Sequence, residues 1–201
     1  ASEAPDWQSL GWSYLQALDI EQDNRVFTSS SLGLKDDIKG YGYEIFDKIP
    51  FSVQRKIALD RLADFWITCS ITDSLSNQVL AAKDGVELMS KSYPKTDYFT
   101  EIDAFSADLS EVLFDKEFFR DQEKYIDLPA TELLSSDADA LKAYFEGKIV
   151  SSLQNNHTDA TQLLQKATTI DPNFATAFAD LGRELFFTGN AQACLTSYEK
   201  A

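Results

Sequence analysis

Residues 141–201 read LKAYFEGKIVSSLQNNHTDATQLLQKATTIDPNFATAFADLGRELFFTGNAQACLTSYEKA, and this stretch decides the fold of the last third of the chain. Residues of similar type recur there at a single interval of 34 positions: Tyr144 and Phe178, Ala160 and Cys194, Leu164 and Tyr198, Ala167 and Ala201. A fixed interval of this length is typical of stacked helix pairs. The stretch therefore predicts one helical hairpin that is followed by a second, related one.

The residue types at these positions have a physical reason. Two helices that cross closely need small residues at the contact, a role open to Gly182, Ala160 and Ala167, and large apolar residues around it. Phe178, Leu185 and Leu164 can fill that space. Pro172 lacks an N–H and disfavours helix in the residue before it, so Asp171-Pro172-Asn173 predicts a turn between the hairpins.

These residues resemble the tetratricopeptide repeat. Phe178, Leu181, Gly182 and Leu185 follow its large-x-x-Leu-Gly-x-x-large pattern on a first helix, and Ala160, Leu164, Ala167 and Pro172 occupy its second-helix and terminal positions. The resemblance implies an all-α repeat segment at 131–201, with one complete and one truncated repeat. Since such repeats bury their apolar faces by stacking, we expect further repeats or a capping domain.

The resemblance also implies a peptide groove along the concave side of the first helices. By position, that side carries Lys142, Phe145, Ile149, Arg183, Phe186 and Phe187. Two cations among aromatic rings suit an acidic or carboxylate-ended peptide. The alternative is that Phe145, Ile149 and Phe186 pack on the preceding domain or on another repeat.

Residues 1–130 mix helical and strand patterns and predict a small α+β domain, a mixed sheet with covering helices. Asp84-Gly85 predicts a tight hairpin in which both residues take a positive φ. Ile102, Phe105, Leu109 and Leu113 form the apolar stripe of the last long helix. The predicted helices are 6–18, a short one that ends near Gly40, 53–63 after a Ser52 cap, and 98–114 after an Asp97 cap; residues 115–136 are predicted to form a short helix and then the linker. The predicted strands are 25–29, 65–72, 77–83 and 86–93.

The order of these segments resembles a TolB-amino-terminal-like adaptor domain in front of tetratricopeptide repeats. The resemblance rests on DWQSLGWSYLQALDIEQDNRVF, ALDRLADFWITCSI, DYFTEIDAFSADLSEVL and SSDADALKAYFEGK. It implies a sensor segment of a bacterial membrane-anchored signalling protein whose effector is a winged-helix regulator, an adenylate cyclase or a Ser/Thr kinase. The expected location is the extracytoplasmic (periplasmic) side, and the alternative is the cytoplasm. The family's opening apolar strand has no counterpart in ASEAP, so we expect either an open sheet edge or a member that has lost that strand.

Charge and composition restrict the partners. The formal net charge is −15, and residues 1–137 alone carry 26 acidic and 13 basic side chains. Such a field repels phosphate backbones and anionic lipid, so we expect no direct nucleic acid contact and membrane association only through a flanking anchor. No apolar run approaches the length of a membrane span. Cys69 and Cys194 each fit an apolar face and predict two buried thiols.

No catalytic or metal-binding pattern stands out. His157, the single histidine, falls between the two helices of the first hairpin among polar residues, which predicts a solvated loop side chain. The run from Asp19 to Asp23 begins like a calcium loop but lacks its glycine and its last glutamate. Asp36-Asp37 predicts a charged helix face rather than an acid–base pair.

From these patterns we expect no enzyme, no cofactor and no metal. The predicted function is a protein-interaction or ligand-sensing module of a larger signalling protein. The alternative is a free-standing repeat scaffold that assembles a multiprotein complex.

Overall fold

A computed structural model describes residues 6–23, 26–71, 74–94, 98–115 and 128–201. The fold is α+β: it is rich in helix and contains a three-stranded antiparallel sheet. The chain divides into two compact units, Ala1–Ala130 (unit 1) and Thr131–Ala201 (unit 2). A short helix at their boundary, α5, spans Ala130–Leu133.

Unit 1 contains four helices and three strands among its described residues. The helices are α1 Asp6–Ile20, α2 Lys35–Gly40 after a 3-10 turn at Ser31–Leu34, α3 Phe51–Asp60 and α4 Tyr98–Asp115; the strands are β1 Phe65–Ile71, β2 Ser74–Ala81 and β3 Glu87–Pro94. The predicted short helix that ends near Gly40 is confirmed. So are the long helices at both ends of the unit.

The sheet has the order β1–β2–β3, with β2 in the centre. Phe65 faces Ala81 across the first strand pair, and Ser74 faces Pro94 across the second. Val79 and Met89 pack with Ile20 of α1 and with Phe105, Leu109 and Leu113 of α4. The predicted α4 stripe is confirmed, because Ile102, Phe105, Leu109 and Leu113 are all buried.

The β2–β3 hairpin is confirmed at Asp84-Gly85, but its turn differs from the predicted one. Gly85 has φ +77°, a conformation that glycine adopts at little cost, whereas Asp84 has no positive φ. Gly85 N–H donates to Ala81 O at 2.8 Å and Ala81 N–H donates to Val86 O at 2.9 Å. The loop is therefore longer than a two-residue turn.

The predicted strand at 25–29 is wrong over its described part, residues 26–29, which form no strand. The backbone N–H of Thr28 donates to the Glu21 carboxylate at 2.9 Å, and its hydroxyl does so at 2.8 Å. This segment is thus held at the end of α1 and not by a ladder. Phe27 is 92% exposed. Without that strand the described sheet is wholly antiparallel, so the expected mixed sheet is a misprediction.

Two smaller expectations in unit 1 are also wrong. Ser52 lies inside the first turn of α3, whose N-cap is Pro50 and has no side-chain cap. Cys69 is free and exposed, whereas Cys194 is free and buried as predicted. The Asp97 cap and Arg25 lie outside the described residues, as do the opening ASEAP segment and 116–127.

Unit 2 contains four helices after α5: α6 Ala138–Gln154, α7 His157–Ile170, α8 Ala175–Phe187 and α9 Ala191–Tyr198. Short connections make consecutive helices antiparallel neighbours, and α6 packs on α7, α7 on α8 and α8 on α9. Side chains of Asp137, Asn156 and Asn190 cap the N-termini of α6, α7 and α9. Asn155 ends α6 in the left-handed conformation, which asparagine tolerates.

In each of the two hairpins, α6–α7 and α8–α9, a side chain of the second helix packs against a glycine of the first helix. A Cβ at Gly147 would stand 3.1 Å from Leu164 Cγ, and one at Gly182 would stand 3.0 Å from the Tyr198 ring. Leu164 and Tyr198 are separated by the interval of 34 positions that the sequence pattern shows. Gly182 was predicted to lie at such a contact, and Gly147 was not. Ala160 and Ala167 are fully buried, as expected for close helix contacts.

No helix in the described ranges has the length and apolar character needed to cross a membrane.

Candidate functional site

A buried carboxylate, Glu184 on α8, is the centre of a polar network in unit 2. Its side chain is 0% exposed. It accepts hydrogen bonds from Ser151 Oγ of α6 at 2.9 Å and from Arg183 Nε and Nη2 at 3.1 and 3.0 Å. His157 Nδ1 lies 2.7 Å from Glu184 Oε2. A buried carboxylate requires several such donors to offset its lost hydration.

His157 is the first residue of α7, and it is not the solvated loop side chain that the sequence predicted. Its ring stacks on Phe187 at a centroid distance of 4.7 Å and an interplanar angle of 19°. Because an ionised carboxylate can only accept, the Nδ1 atom that faces Glu184 carries the proton. Glu184 and Phe187 therefore fix the imidazole, whose side chain is 32% exposed.

A second carboxylate, Asp180, lies one turn earlier on α8. It accepts from Tyr144 Oη at 2.9 Å and Lys148 Nζ at 2.8 Å, both on α6. Arg183 Nη1 lies 3.1 Å from Asp180 Oδ1. Arg183 thus bridges Asp180 and Glu184. The positive charges of Lys148 and Arg183 balance the two carboxylates. Protonation of His157 would add a single positive charge.

The network shifts the pKa values of Glu184 and Arg183 in the direction of ionisation. Burial by itself raises the pKa of the Glu184 carboxyl, but hydrogen bonds from His157, Ser151 and Arg183 outweigh it, and the pKa is lowered overall. Desolvation acts to lower the pKa of Arg183, but the attraction of Asp180 and Glu184 raises it overall. Both groups therefore remain charged across the physiological range.

The six residues of the predicted groove have different environments. Phe186 and Phe187 are 68% and 57% exposed, and their rings meet edge to face at 5.8 Å. Lys142 is exposed and lies 3.9 Å from Glu146 on the same helix. Ile149 is half-buried. Phe145 is 1% exposed, and its ring centroid lies 5.1 Å from that of Tyr144, so it is unavailable to a ligand.

Arg183 is half-exposed, but its charge is already shared between two carboxylates. Phe186 and Phe187, together with the exposed edges of His157 and Arg183, form one exposed patch of unit 2, which we call the aromatic surface. It shares Arg183, Phe186 and Phe187 with the predicted groove. His157 is new.

The chemical groups of this arrangement are a carboxylate-oriented imidazole, a guanidinium and two exposed aromatic rings. A carboxylate-oriented imidazole can accept a hydrogen bond at Nε2, but the two hydroxyls in the network donate elsewhere, Ser151 to Glu184 and Tyr144 to Asp180. Across the described ranges, no three His, Cys, Asp or Glu side chains group as they would around a metal ion. The exposed rings supply apolar contact area, and His157 and Arg183 supply polar orientation.

In unit 1, the surface carboxylates form local ion pairs. Asp37 lies 3.0 Å from Arg61 Nε, and this hydrogen bond holds its pKa below the ordinary aspartate value. Asp108 accepts from Lys91 and from Tyr93 Oη. Burial alone raises the pKa of Asp108, and these two donors lower it overall. Asp36-Asp37 is thus part of a charged helix face.

One sequence signal points to the network that the sequence predictions missed. Tyr144, Lys148 and Ser151 on α6 follow the spacing i, i+4, i+7, and Asp180 and Glu184 on α8 follow the spacing i, i+4. Polar residues that interrupt an apolar face at helical spacing indicate a polar seam between helices. His157 carries no such signal, because its partner lies 27 positions away on another helix.

Comparison of the chain with known protein families, with curated proteins and with solved structures identifies no match.

Proposed function

We propose that this chain is a non-catalytic protein-interaction or ligand-sensing module, the input segment of a larger bacterial signalling protein on the extracytoplasmic side of the membrane. Unit 2 acts as a tetratricopeptide-like pair of helical hairpins that binds a peptide or protein, and unit 1 acts as the adaptor domain. Neither performs chemistry.

One observation carries this proposal. Two consecutive hairpins each pack a second-helix side chain on a first-helix glycine; the two side chains are 34 positions apart and the two glycines are 35 apart. Hairpins that repeat a similar contact at a nearly constant interval stack into arrays whose function is generally to present a binding surface.

The aromatic surface supports the choice of unit 2 as the binding part. Its two phenylalanine rings are exposed, although their helix is otherwise well packed. The Glu184 network holds the neighbouring His157 ring in place, so little side-chain entropy remains to be lost on binding. A partner with an apolar anchor beside a carboxylate meets the rings and the half-exposed guanidinium, and a hydrogen-bond donor next to that anchor would meet Nε2 of the imidazole.

A peptide-display selection against the full chain tests the proposal. Selected peptides are measured by calorimetry against Phe186→Ala, with Phe27→Ala as the matched control, because Phe27 is an exposed phenylalanine of unit 1. We expect the loss of an aromatic anchor to weaken binding about tenfold or more, and the control to leave it unchanged. Equal affinity in both variants would remove the aromatic surface from the proposal.

Arg183→Glu is a poor test of the same surface. It would place a third carboxylate beside Asp180 and Glu184, where Arg183 now bridges the two. The fold itself would be destabilised, so any loss of binding would have two explanations. Phe186 has an exposed side chain and avoids this ambiguity.

A further inference from the structure

The outer edge of β1 has backbone groups without partners in the described residues. Asp64 O accepts from Ala82 N–H at 2.9 Å, which makes this a hydrogen-bonded pair next to the first pair of the β1–β2 register. Hydrogen-bonded and non-hydrogen-bonded pairs alternate along an antiparallel ladder. The N–H and C=O groups of Phe65, Ile67, Cys69 and Ile71 therefore point away from β2.

The two edges of the sheet differ in their protection. β3 carries Glu87, Lys91 and Pro94, and charges and proline on an edge strand oppose the addition of a further strand. β1 reads FWITCSI and has neither charge nor proline. Cys69 and Ser70 are exposed on it. β1 is thus a seven-residue strand that is open to pairing.

We propose that β1 pairs with β1 of a second copy of this chain, antiparallel and about a two-fold axis at Thr68. In this register Phe65 faces Ile71 of the second copy, and Ile67 faces its Cys69. All outward N–H and C=O groups of both strands are then paired at once, and no other antiparallel register achieves this.

The facing side chains explain why the occupant is a second copy rather than an unrelated strand. The two-fold axis makes every contact reciprocal. Phe65 with Ile71 is an aromatic–β-branched pair, and Thr68 faces Thr68, and both kinds of cross-strand pair stabilise sheets. Because β1 is uncharged, no like charges face each other.

The association is weak and depends on salt. A single strand pair buries less surface than stable dimers usually do. Each copy also carries a formal charge of −15, and added salt screens the resulting repulsion. Dimerisation should therefore increase with protein concentration and with ionic strength, which is opposite to the behaviour of an association driven by charge attraction.

Cross-linking tests the register. Thr68→Cys in a Cys69→Ser background places two thiols at a non-hydrogen-bonded pair, where the Cα–Cα distance of about 4.5 Å permits a disulfide. Ser70→Cys in the same background is the control, because residue 70 would face Trp66 of the second copy. We expect a disulfide-linked dimer from the first protein and little from the second. Equal cross-linking from both, or none from either, would overturn the proposal.

Sedimentation analysis tests the dimer without cross-linking. Cys69→Pro removes an N–H that points to the open edge and leaves the bonds to β2 in place, whereas Cys69→Ser keeps that N–H. At high salt we expect wild type and Cys69→Ser to dimerise with concentration, and Cys69→Pro to remain monomeric with an unchanged circular dichroism spectrum. A wild type that stays monomeric at every concentration would refute the dimer. Should Cys69→Pro fail to fold, the cross-linking pair decides.

Discussion

Units 1 and 2 treat a buried polar side chain in opposite ways. Glu184 in unit 2 is a buried charge, and donors from three residues satisfy it. Asn77 in unit 1 is 2% exposed, and neither its amide nitrogen nor its amide oxygen has a hydrogen-bond partner among the described residues. The more costly group to bury is thus the better satisfied one.

Left-handed backbone positions show the same contrast. Unit 2 has Asn155 at φ 55° behind α6, and asparagine suits that position. Unit 1 has Leu62 at φ 56° behind α3, although leucine is strained there, and its side chain is 90% exposed.

This difference indicates which parts of each unit depend on contacts beyond the packing of that unit. Natural folds are locally consistent, and violations tend to occur at functional sites. Among the violations in unit 1, the buried amide nitrogen of Gln16 lies on α1, whereas Leu62 precedes β1 and Asn77 faces Cys69 across the ladder. The open strand edge is at the same place. Unit 2 is consistent throughout its network, and Phe186 and Phe187 are exposed at its surface.

The largest expected effect comes from Glu184→Ala. This substitution leaves Arg183 with Asp180 as its one remaining carboxylate in the network, and it removes the hydrogen-bond partner of Ser151 and His157. We therefore expect the free energy of unfolding to fall by about 3–5 kcal/mol. Glu146→Ala, at a half-buried position with one 3.9 Å pair, is the control and should cost under about 1 kcal/mol. Urea unfolding followed by far-ultraviolet circular dichroism measures both. Similar losses would show that the network contributes no stability.

Acid should remove part of that stabilisation. The folded pKa of Glu184 lies below its ordinary value of 4.5, so the ionised carboxylate stabilises the fold above that pH and loses this contribution as the pH falls through the folded pKa. The difference in unfolding free energy between wild type and Glu184→Gln should therefore be constant near neutrality and shrink below about pH 4.5. A difference that grows on acidification would contradict the lowered pKa.

The two hairpin glycines should differ in their response to alanine. Leu164 is 1% exposed and cannot move away from a Cβ at Gly147, so Gly147→Ala should destabilise unit 2 by about 1–2 kcal/mol. Tyr198 is 48% exposed and can turn aside, and alanine favours helix over glycine by about 1 kcal/mol, so Gly182→Ala should be nearly neutral. Thermal unfolding compares them; equal losses would mean that both contacts are equally rigid.

Asn77→Val should stabilise unit 1. It replaces an amide without partners by an apolar strand former, for an expected gain of about 1 kcal/mol. Thr68→Val, which adds a strand former at a half-buried position of β1, is the control and should change stability by under about 0.5 kcal/mol. All three tryptophans lie in unit 1, so their fluorescence in urea reports the change. A loss of stability in Asn77→Val would reveal a partner of this amide and end the contrast with Glu184.

The smallest effect is expected at Leu62. Glycine relieves the left-handed strain but costs backbone entropy, so Leu62→Gly should gain about 0.5 kcal/mol. Leu59→Gly, inside α3, should lose about 1 kcal/mol. Opposite signs in the same fluorescence assay would confirm that backbone conformation decides the outcome, whereas a loss at both positions would show that the Leu62 side chain contributes to packing.

Most of the helices and the β2–β3 hairpin could be predicted from the sequence alone. The helical spacing of apolar residues and the Pro172 turn predict the four helices of unit 2, and the apolar stripe predicts α4. Gly85 predicts the β2–β3 hairpin, although not the length of its loop. These signals are readable because capping, turn chemistry and helical periodicity depend on residues a few positions apart.

The contacts between residues that are distant in the sequence could be read only from the tertiary structure. His157 lies beside Glu184 because α7 begins next to α8. Gly147 lies at the α6–α7 contact because Leu164 packs onto it. The segment at 26–29 has strand-forming residues, yet its polar groups find partners on α1. Such choices depend on the competition among partners that folding brings together, and a pattern read along the chain contains no information about that competition.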